Sequence, residues 1–407
     1  MAYIVGIILG ALGILISVSL HEAGHMGTAK AFGMRVTRYF VGFGPTLWSF
    51  KRGDTEYGVK GIPLGGFVKI VGMTPQDEDA DDAKAMWRFP VWKRTIVMAA
   101  GSIVHFIIAF MIFWGVAATA AMPNPAVNPN DPFIQVMDCV PVKPGSGACA
   151  AGDFAGPAKA GGLQTGDRIV RINATPINAY TDMVKAIRDL PPDRPAEFAY
   201  LREGREDVAS VTPVGVQRPP LDNPAAAPVT VAAIGIANSH DPALAPTVEY
   251  NVAQALPVAG DMMGRVFDGV IASIKKFPEK IPGLWHAIVG GERDPESPLS
   301  VVGASRLSGE MVEHEEYPSF WLIAASLNMF VGLFNLLPLL PLDGGHIAIA
   351  WFERARSWLY ARLRKPDPGR VDYYKLMPLT YMVIFIFGAF TLLTVTADIV
   401  NPITIFR

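Results

Sequence analysis

Charge is scarce in this chain. Asp, Glu, Lys and Arg make up 18% of its 407 residues and hydrophobic residues 51%, where soluble domains carry about 25% charged residues. That balance excludes a wholly soluble globule and points to a membrane protein bearing a soluble part. Basic clusters are missing too. The net charge is −2, and no Lys/Arg-rich block or aromatic-interleaved basic stripe occurs, which leaves no case for nucleic acid as a partner. No Lys or Arg precedes Lys30, so the opening apolar run lacks the basic start of a signal peptide. It also lacks a small-residue cleavage site and reads as a retained helix. Cysteine is limited to Cys139 and Cys149, in one polar stretch. They form a disulfide if that stretch is exported and are otherwise two free thiols.

Four apolar segments are each near the ~20 residues that cross a ~30 Å hydrocarbon core. The first runs from about Ile4 to Phe32, the second from Thr95 to Ala121, the third from about Phe320 through Asn335 to Gly345, and the fourth from Met377 to about Ala397. Lys30, Arg35, Arg38, Lys93 and Arg94 flank the first two on one side, and seven basic residues from Arg354 to Lys375 lie between the last two. The opposite flanks are poor in basic residues. Under the positive-inside rule this gives a four-span protein with both termini, and the polar section from about Pro123 to Pro318, outside the cytoplasm.

His21-Glu22-Ala23-Gly24-His25 ends the uncharged run Ile4–Leu20 without an intervening loop. On a helix the two histidines lie one turn apart on one face and can reach a single metal, while Glu22 beside them can accept a proton from water. The bland alternative is a polar helix end with two surface histidines. Three ionisable groups at the membrane boundary cost several kcal/mol, so they need partners or a function, and this favours the metal. A catalytic zinc takes three protein ligands. Of the carboxylates in the apolar segments, Asp343 stands at a depth similar to His21, whereas Asp398 lies at the opposite face. Asp343 is therefore the expected third ligand. The segment carrying it, Asn335 to Gly345, holds Pro338, Pro341, Gly344 and Gly345. Such irregular backbone is tolerated in a membrane only inside protein or beside a wet cavity. Asn335 either binds substrate or a developing oxyanion or makes an interhelix contact.

With these residues the chain resembles a site-2 protease, an intramembrane metalloprotease family, and its bacterial RseP-type branch in particular. The likeness rests on HEAGH in the first span, paired with Asn335, Pro338, Leu342, Asp343 and Gly344 in the third as N-x-x-P-x-x-x-L-D-G. It extends to Gly42-Phe-Gly-Pro45, Pro63-Leu-Gly-Gly-Phe-Val-Lys69 and Pro298-Leu-Ser-Val-Val-Gly303. The resemblance implies one Zn2+ per chain on His21, His25 and Asp343, with Glu22 as catalytic acid and base. The family's A-G-P-x-x-N-F reads Ala100-Gly-Ser-Ile-Val-His105-Phe here. This puts any role of its Pro and Asn in doubt, and His105 reads as a packing or polar contact rather than a fourth ligand.

The expected fold is a polytopic α-helical membrane protein with one extracytoplasmic PDZ-like α+β domain and a cytosol-side membrane-dipping β-hairpin. Val36–Phe50 and Tyr57–Val71 alternate and are glycine-rich, as in a hairpin. By resemblance its Gly65, Gly66 and Phe67 contact substrate together with Asn335 and Pro338, a free strand edge offering partners to an unwound peptide. The acidic run from Asp77 to Asp82 reads as a solvated loop. Residues 133–213 resemble a PDZ domain, marked by Ala160-Gly-Gly-Leu-Gln-Thr-Gly-Asp167 and a helix near Tyr180–Leu190, followed by a Pro-rich loop, 213–228. That domain takes a substrate's trimmed end by strand addition or acts as a size filter. Ala253–Ile281 reads as an amphipathic helix, on the membrane surface or under the PDZ-like domain.

The divisions expected are 1–32 (first span), 33–94 (cytoplasmic-side loop with hairpin), 95–121 (second span), 122–240 (PDZ-like domain), 241–319 (amphipathic helix and linker), 320–346 (third span), 347–376 (cytoplasmic loop) and 377–407 (fourth span). The resemblance implies a multi-pass protein of the bacterial inner membrane that cuts single-span substrates: anti-sigma factors already cut outside, or signal-peptide remnants. Two other readings are a PDZ-bearing receptor or scaffold with a structural or inactive metal site, which has no need of Glu22, and a protease acting on soluble chains at the membrane face.

Overall fold

The computed structural model describes residues 1–142, 149–222, 227–291, 293–294 and 297–406. They form two compact units, one of Met1–Ala120 with Tyr250–Arg407 and one of Ala121–Glu249. In the first unit the helices are α1 (Ala2–Ala31), α2 (Val91–Thr119), α3 (Ala255–Ile288), α4 (Val301–Glu313), α5 (Tyr317–Asn335), α6 (Asp343–Arg362) and α7 (Met377–Val400). Four helical stretches, Ala2–Ala31, Val91–Thr119, Tyr317–Asn335 and Tyr373–Val400, are long and apolar enough to cross a membrane. The protein is polytopic.

Close packing here depends on small residues, as it must where lipid removes the hydrophobic drive between helices. A Cβ on Gly6 of α1 would fall 2.6 Å from the Ser308 carbonyl oxygen of α4, and one on Gly10 2.8 Å from Ser308 Oγ. Asp398 in α7 is buried and accepts from Arg293 (2.6 Å), the Ser300 amide (2.7 Å) and Ser300 Oγ (2.5 Å). It thereby fastens α7 to the start of α4. On another side of the unit, Glu353 of α6 is buried against Arg94 of α2 (3.4 Å) and Arg370 (2.9 Å).

Three departures from expectation concern helices. Residues 347–376, read as a loop, contain most of α6, and residues 241–319 contain α4 as well as the amphipathic helix. The third span is also shorter than read: α5 stops at Asn335, the chain turns through Leu336–Leu342 with a cis Leu340–Pro341 peptide, and α6 begins at Asp343. Pro338 and Pro341 withhold the amide donors a continuing helix needs.

The hairpin is more than a hairpin. Strands β1 (Val36–Arg52) and β2 (Thr55–Ile70) are joined at Gly53–Asp54. Arg38 lies opposite both Lys69 and Glu56, Tyr39 opposite Val68 and Tyr57, and Val41 opposite Gly66 and Val59. A residue with two cross-strand partners is flanked on both sides. Each strand therefore bends back, β1 where Gly42 and Gly44 take positive φ, and the pairing gives four segments in the order 46–52, 55–60, 36–41, 66–70. Among the described residues, segment 66–70 pairs with a strand on one side only. Phe43, Leu47, Trp48, Ile62 and Leu64 near the bends are exposed.

The acidic run after β2 is ordered rather than merely solvated. Asp79 accepts from the Gly72 amide (3.0 Å), Asp77 from the Thr74 amide and hydroxyl, and Asp82 from Arg35 (2.7 Å). The bond from Arg35 holds the Asp82 carboxyl below its ordinary pKa.

The second unit holds a four-stranded antiparallel sheet in the order 205–211, 196–202, 168–172, 175–176, with the helix Tyr180–Arg188. Its core is Ile134, Ile169, Ile172, Met183, Ile187, Phe198, Val211 and Ile234. The turn before the strand Arg168–Ile172 is locked by buried Asp167, which accepts from the Gln164 amide (2.7 Å) and Arg202 Nε (2.7 Å). The expected Pro-rich loop contains a strand, Val214–Arg218, paired with Val229–Ala233. Cys139 and Cys149 are joined by a disulfide.

Candidate metal centre

His21 and His25 are buried on one face of α1, with their Nε2 atoms 3.0 Å apart. Asp343, the first residue of α6, places Oδ2 3.4 Å from His21 Nε2 and 3.3 Å from His25 Nε2. With metal–ligand bonds of ~2.0–2.2 Å at tetrahedral angles, ligand atoms stand roughly 3.3–3.5 Å apart, so this triangle has the dimensions of three corners around one zinc ion. Asp343 Oδ2 is buried and has no hydrogen-bond partner, an arrangement costly in a low-dielectric interior unless a cation answers it. The residues fit the metal.

The surrounding backbone orients these ligands. His25 Nδ1–H donates to the Val97 carbonyl of α2 (2.7 Å), which leaves Nε2 unprotonated for coordination. The His21 ring lies against Gly101 of α2, where a Cβ would meet its Cε1, Nδ1 and Nε2 at 2.4, 2.5 and 2.6 Å. Gly344 and Gly345 let the start of α6 press on the turn before it. A Cβ on Gly344 would sit 2.3 Å from the Leu336 oxygen, and one on Gly345 2.7 Å from Leu340 N. Asp343 is thus delivered by an interruption of the helix, the loop Leu336–Leu342, whereas the depth estimate from sequence assumed one continuous helix.

Glu22 is half-buried, and its Oε2 accepts from the Val68 amide of β2 (2.9 Å). Val68 lies in the free edge segment, and its N–H is aimed at Glu22 rather than across the sheet. Sequence reasoning missed this donor, since a backbone amide has no residue signature. Of the other expected residues, Gly65, Gly66 and Phe67 lie on the same edge: a Cβ on Gly66 would be 3.7 Å from Glu22 Cγ, and one on Gly65 4.0 Å from Val18 of α1. Phe67 stacks between Phe40 and Phe43. Asn335 ends α5, half-buried, and Pro338 is exposed in the turn. His105 is fully buried, its ring 5.0 Å from that of His21. Among the described residues, the only cluster of three or more potential metal ligands is His21, His25 and Asp343.

Comparison with known proteins agrees with this chemistry. The family model of peptidase family M50 matches residues 9–365. The chain is 43% identical over 418 residues to the zinc metalloprotease Rip1 of Mycolicibacterium smegmatis and 41% identical over 411 residues to that of Mycobacterium tuberculosis, in each case over 100% of both chains. It is 27% identical over 371 residues to the metalloprotease MmpA of Caulobacter vibrioides, covering 83% of each chain.

Proposed function

The chain belongs to peptidase family M50 and is a zinc metalloprotease, and from that premise we propose that it hydrolyses a peptide bond within the transmembrane segment of single-span substrates, with His21, His25 and Asp343 holding one zinc ion and Glu22 moving the proton. The observation that carries this is the meeting of the three ligand atoms, at 3.0–3.4 Å, two of them on a helix that hydropathy assigns to the membrane and the third at the start of α6, a short turn after another such helix.

Bound zinc supplies a Lewis acid that polarises the scissile carbonyl and makes the attacking water more acidic. Glu22 accepts the proton released by that water and passes it to the leaving amide nitrogen as the C–N bond breaks. The Val68 amide fixes one carboxylate oxygen of Glu22 and leaves the other to take the proton. A peptide bond in a helix is shielded, so the substrate unwinds before attack. The free edge 66–70, beside Glu22, supports strand addition as the way in which the unwound segment is held, with Gly65, Gly66, Phe67, Asn335 and Pro338 as its contacts. The exposed apolar side chains at the sheet bends support a sheet that dips into the membrane from the cytoplasmic side.

The second unit is proposed as a PDZ-like domain outside the cytoplasm, as are both termini, in a multi-pass protein of the bacterial inner membrane. The basic residues Lys30, Arg35, Arg38 and Lys93, and those from Arg354 to Lys375, support that orientation. Arg94 is set aside, because its charge is buried against Glu353. The Cys139–Cys149 bridge accords with export. The proposed substrates are anti-sigma factors already trimmed outside, whose cut end meets the PDZ-like domain.

The reading is tested in lipid vesicles with a tagged single-span substrate beside a soluble unfolded chain containing the same target sequence. The spanning substrate is expected to be cut within its apolar segment, located by mass spectrometry, at least tenfold faster than the soluble one. Equal rates would refute cleavage inside the membrane.

A further inference from the structure

Two buried nitrogens beside the metal centre lack partners: His21 Nδ1 and His105 Nε2. Both rings are buried, at 6% and 2% exposure, and their centroids are 5.0 Å apart. Rings at that separation are close enough for an edge nitrogen of one to hydrogen-bond an edge nitrogen of the other. The surrounding bonds decide which of them donates.

Asn328 Nδ2 donates to the Ala324 carbonyl at 2.8 Å, because a carbonyl only accepts. Asn328 Oδ1 therefore faces His105 Nδ1, at 2.8 Å, and Nδ1 must carry the proton of that ring. In a neutral imidazole the other nitrogen is then a bare acceptor, so His105 Nε2 offers a lone pair. The opposite holds for His21. Its Nε2 faces His25 and Asp343 and offers its lone pair to the metal, which puts the proton on Nδ1 and makes that atom a donor. One orphan is a donor, the other an acceptor, and buried polar groups left unmade are expensive.

We propose that His105, itself set by Asn328, is the positioning residue for His21, accepting the Nδ1–H of that ligand and so holding its Nε2 toward the zinc ion. The inference rests on His21 being a zinc ligand. It gives each histidine ligand its own outer partner: the Val97 carbonyl for His25 and the His105 ring for His21. Such partners fix the ring orientation and raise ligand basicity. Gly101 and His105 lie one turn apart on α2 and therefore share a face, the glycine making room for the His21 ring and the histidine meeting its edge. Gly332 of α5 serves the same packing from the other side, since a Cβ there would stand 3.2 Å from His105 Cβ.

The test is zinc affinity of the purified full chain in detergent, by competition with a chelator, together with the unfolding midpoint of the zinc-free protein. His105→Phe keeps the ring and removes the acceptor. It is expected to weaken zinc about 10- to 100-fold. The zinc-free midpoint is also expected to fall, because the substitution leaves buried Asn328 Oδ1 without its donor, so the zinc loss is read against His105→Gln as well as against the parent. His105→Gln restores an acceptor at similar reach and is expected to recover most of that loss. Asn328→Leu keeps His105 but frees its tautomer, giving a smaller loss, and this variant carries the test if His105→Phe does not fold. Parental zinc affinity in both His105→Phe and Asn328→Leu would overturn the assignment, as would His105→Gln binding no better than His105→Phe. A parental protein that bound no zinc would overturn this assignment and the metal centre together, whereas the other outcomes leave the metal centre standing.

Discussion

Glu22→Gln is expected to hold about one zinc per chain, like the parent, and to cleave a single-span substrate on the order of 10²–10⁴-fold more slowly. The two halves of that result have separate causes. Glu22 is not one of the three converging ligands, and glutamine has the same shape and offers an amide oxygen for the Val68 N–H, so the sheet edge and the metal keep their places. What disappears is the basic oxygen proposed to take a proton from water and return it to the leaving nitrogen. Zinc analysis and cleavage assays on the same preparation separate the two effects. Cleavage at parental rate would remove Glu22 from the mechanism, and loss of zinc would make it part of the metal's support instead.

Gly101→Ala is expected to lower zinc content at least about tenfold, although it adds a single methyl group outside the ligand set. The new Cβ would lie 2.4–2.6 Å from three atoms of the His21 ring, far inside contact distance. Parting the helices to accept it would break the close packing of α1 on α2, where a Cβ on Gly24 would come 2.9 Å from the Ala100 oxygen. Overpacking of this kind forces a side chain off its rotamer, and the side chain forced here is a proposed metal ligand. Gly115→Ala is the control. It lies on the same helix with nothing within 4 Å of its Cβ position, and it should bind zinc as the parent does. Parental zinc in Gly101→Ala would mean that His21 can move without consequence.

The convergence of His21, His25 and Asp343 was legible in the sequence because these residues have rare chemistry in a rare place. HEAGH fused to an uncharged run, and one carboxylate among prolines and glycines in a second run, are conspicuous against lipid-facing surroundings. The geometry that joins them was less legible. A break through Pro338 and Pro341, not a continuous helix, delivers Asp343, and Gly344–Gly345 act by permitting close approach rather than by ending a helix. Helix α4 escaped notice because Val301–Glu313 is short and mixes serine, glycine and charge. It is held by the fit of Ser308 and Gly309 against Gly6, Gly10 and Tyr3, which depends on a partner far away in the chain. The sheet looked like a hairpin because alternation marks strands but not where they bend back, and here paired glycines at positive φ decide that. The strand Val214–Arg218 was hidden among prolines that lie around it rather than within it. Backbone donors such as the Val68 amide and acceptors such as the Val97 carbonyl leave no residue-type trace at all.

The centre itself is tested most directly by the zinc content of purified Asp343→Asn beside the parent, measured by elemental analysis after dialysis against a weak chelator. With His21, His25 and Asp343 as the three ligands, zinc should fall from about one per chain to a small fraction, since the neutral amide removes the anionic corner of the triangle. Parental zinc in the variant would contradict a site built on those three residues.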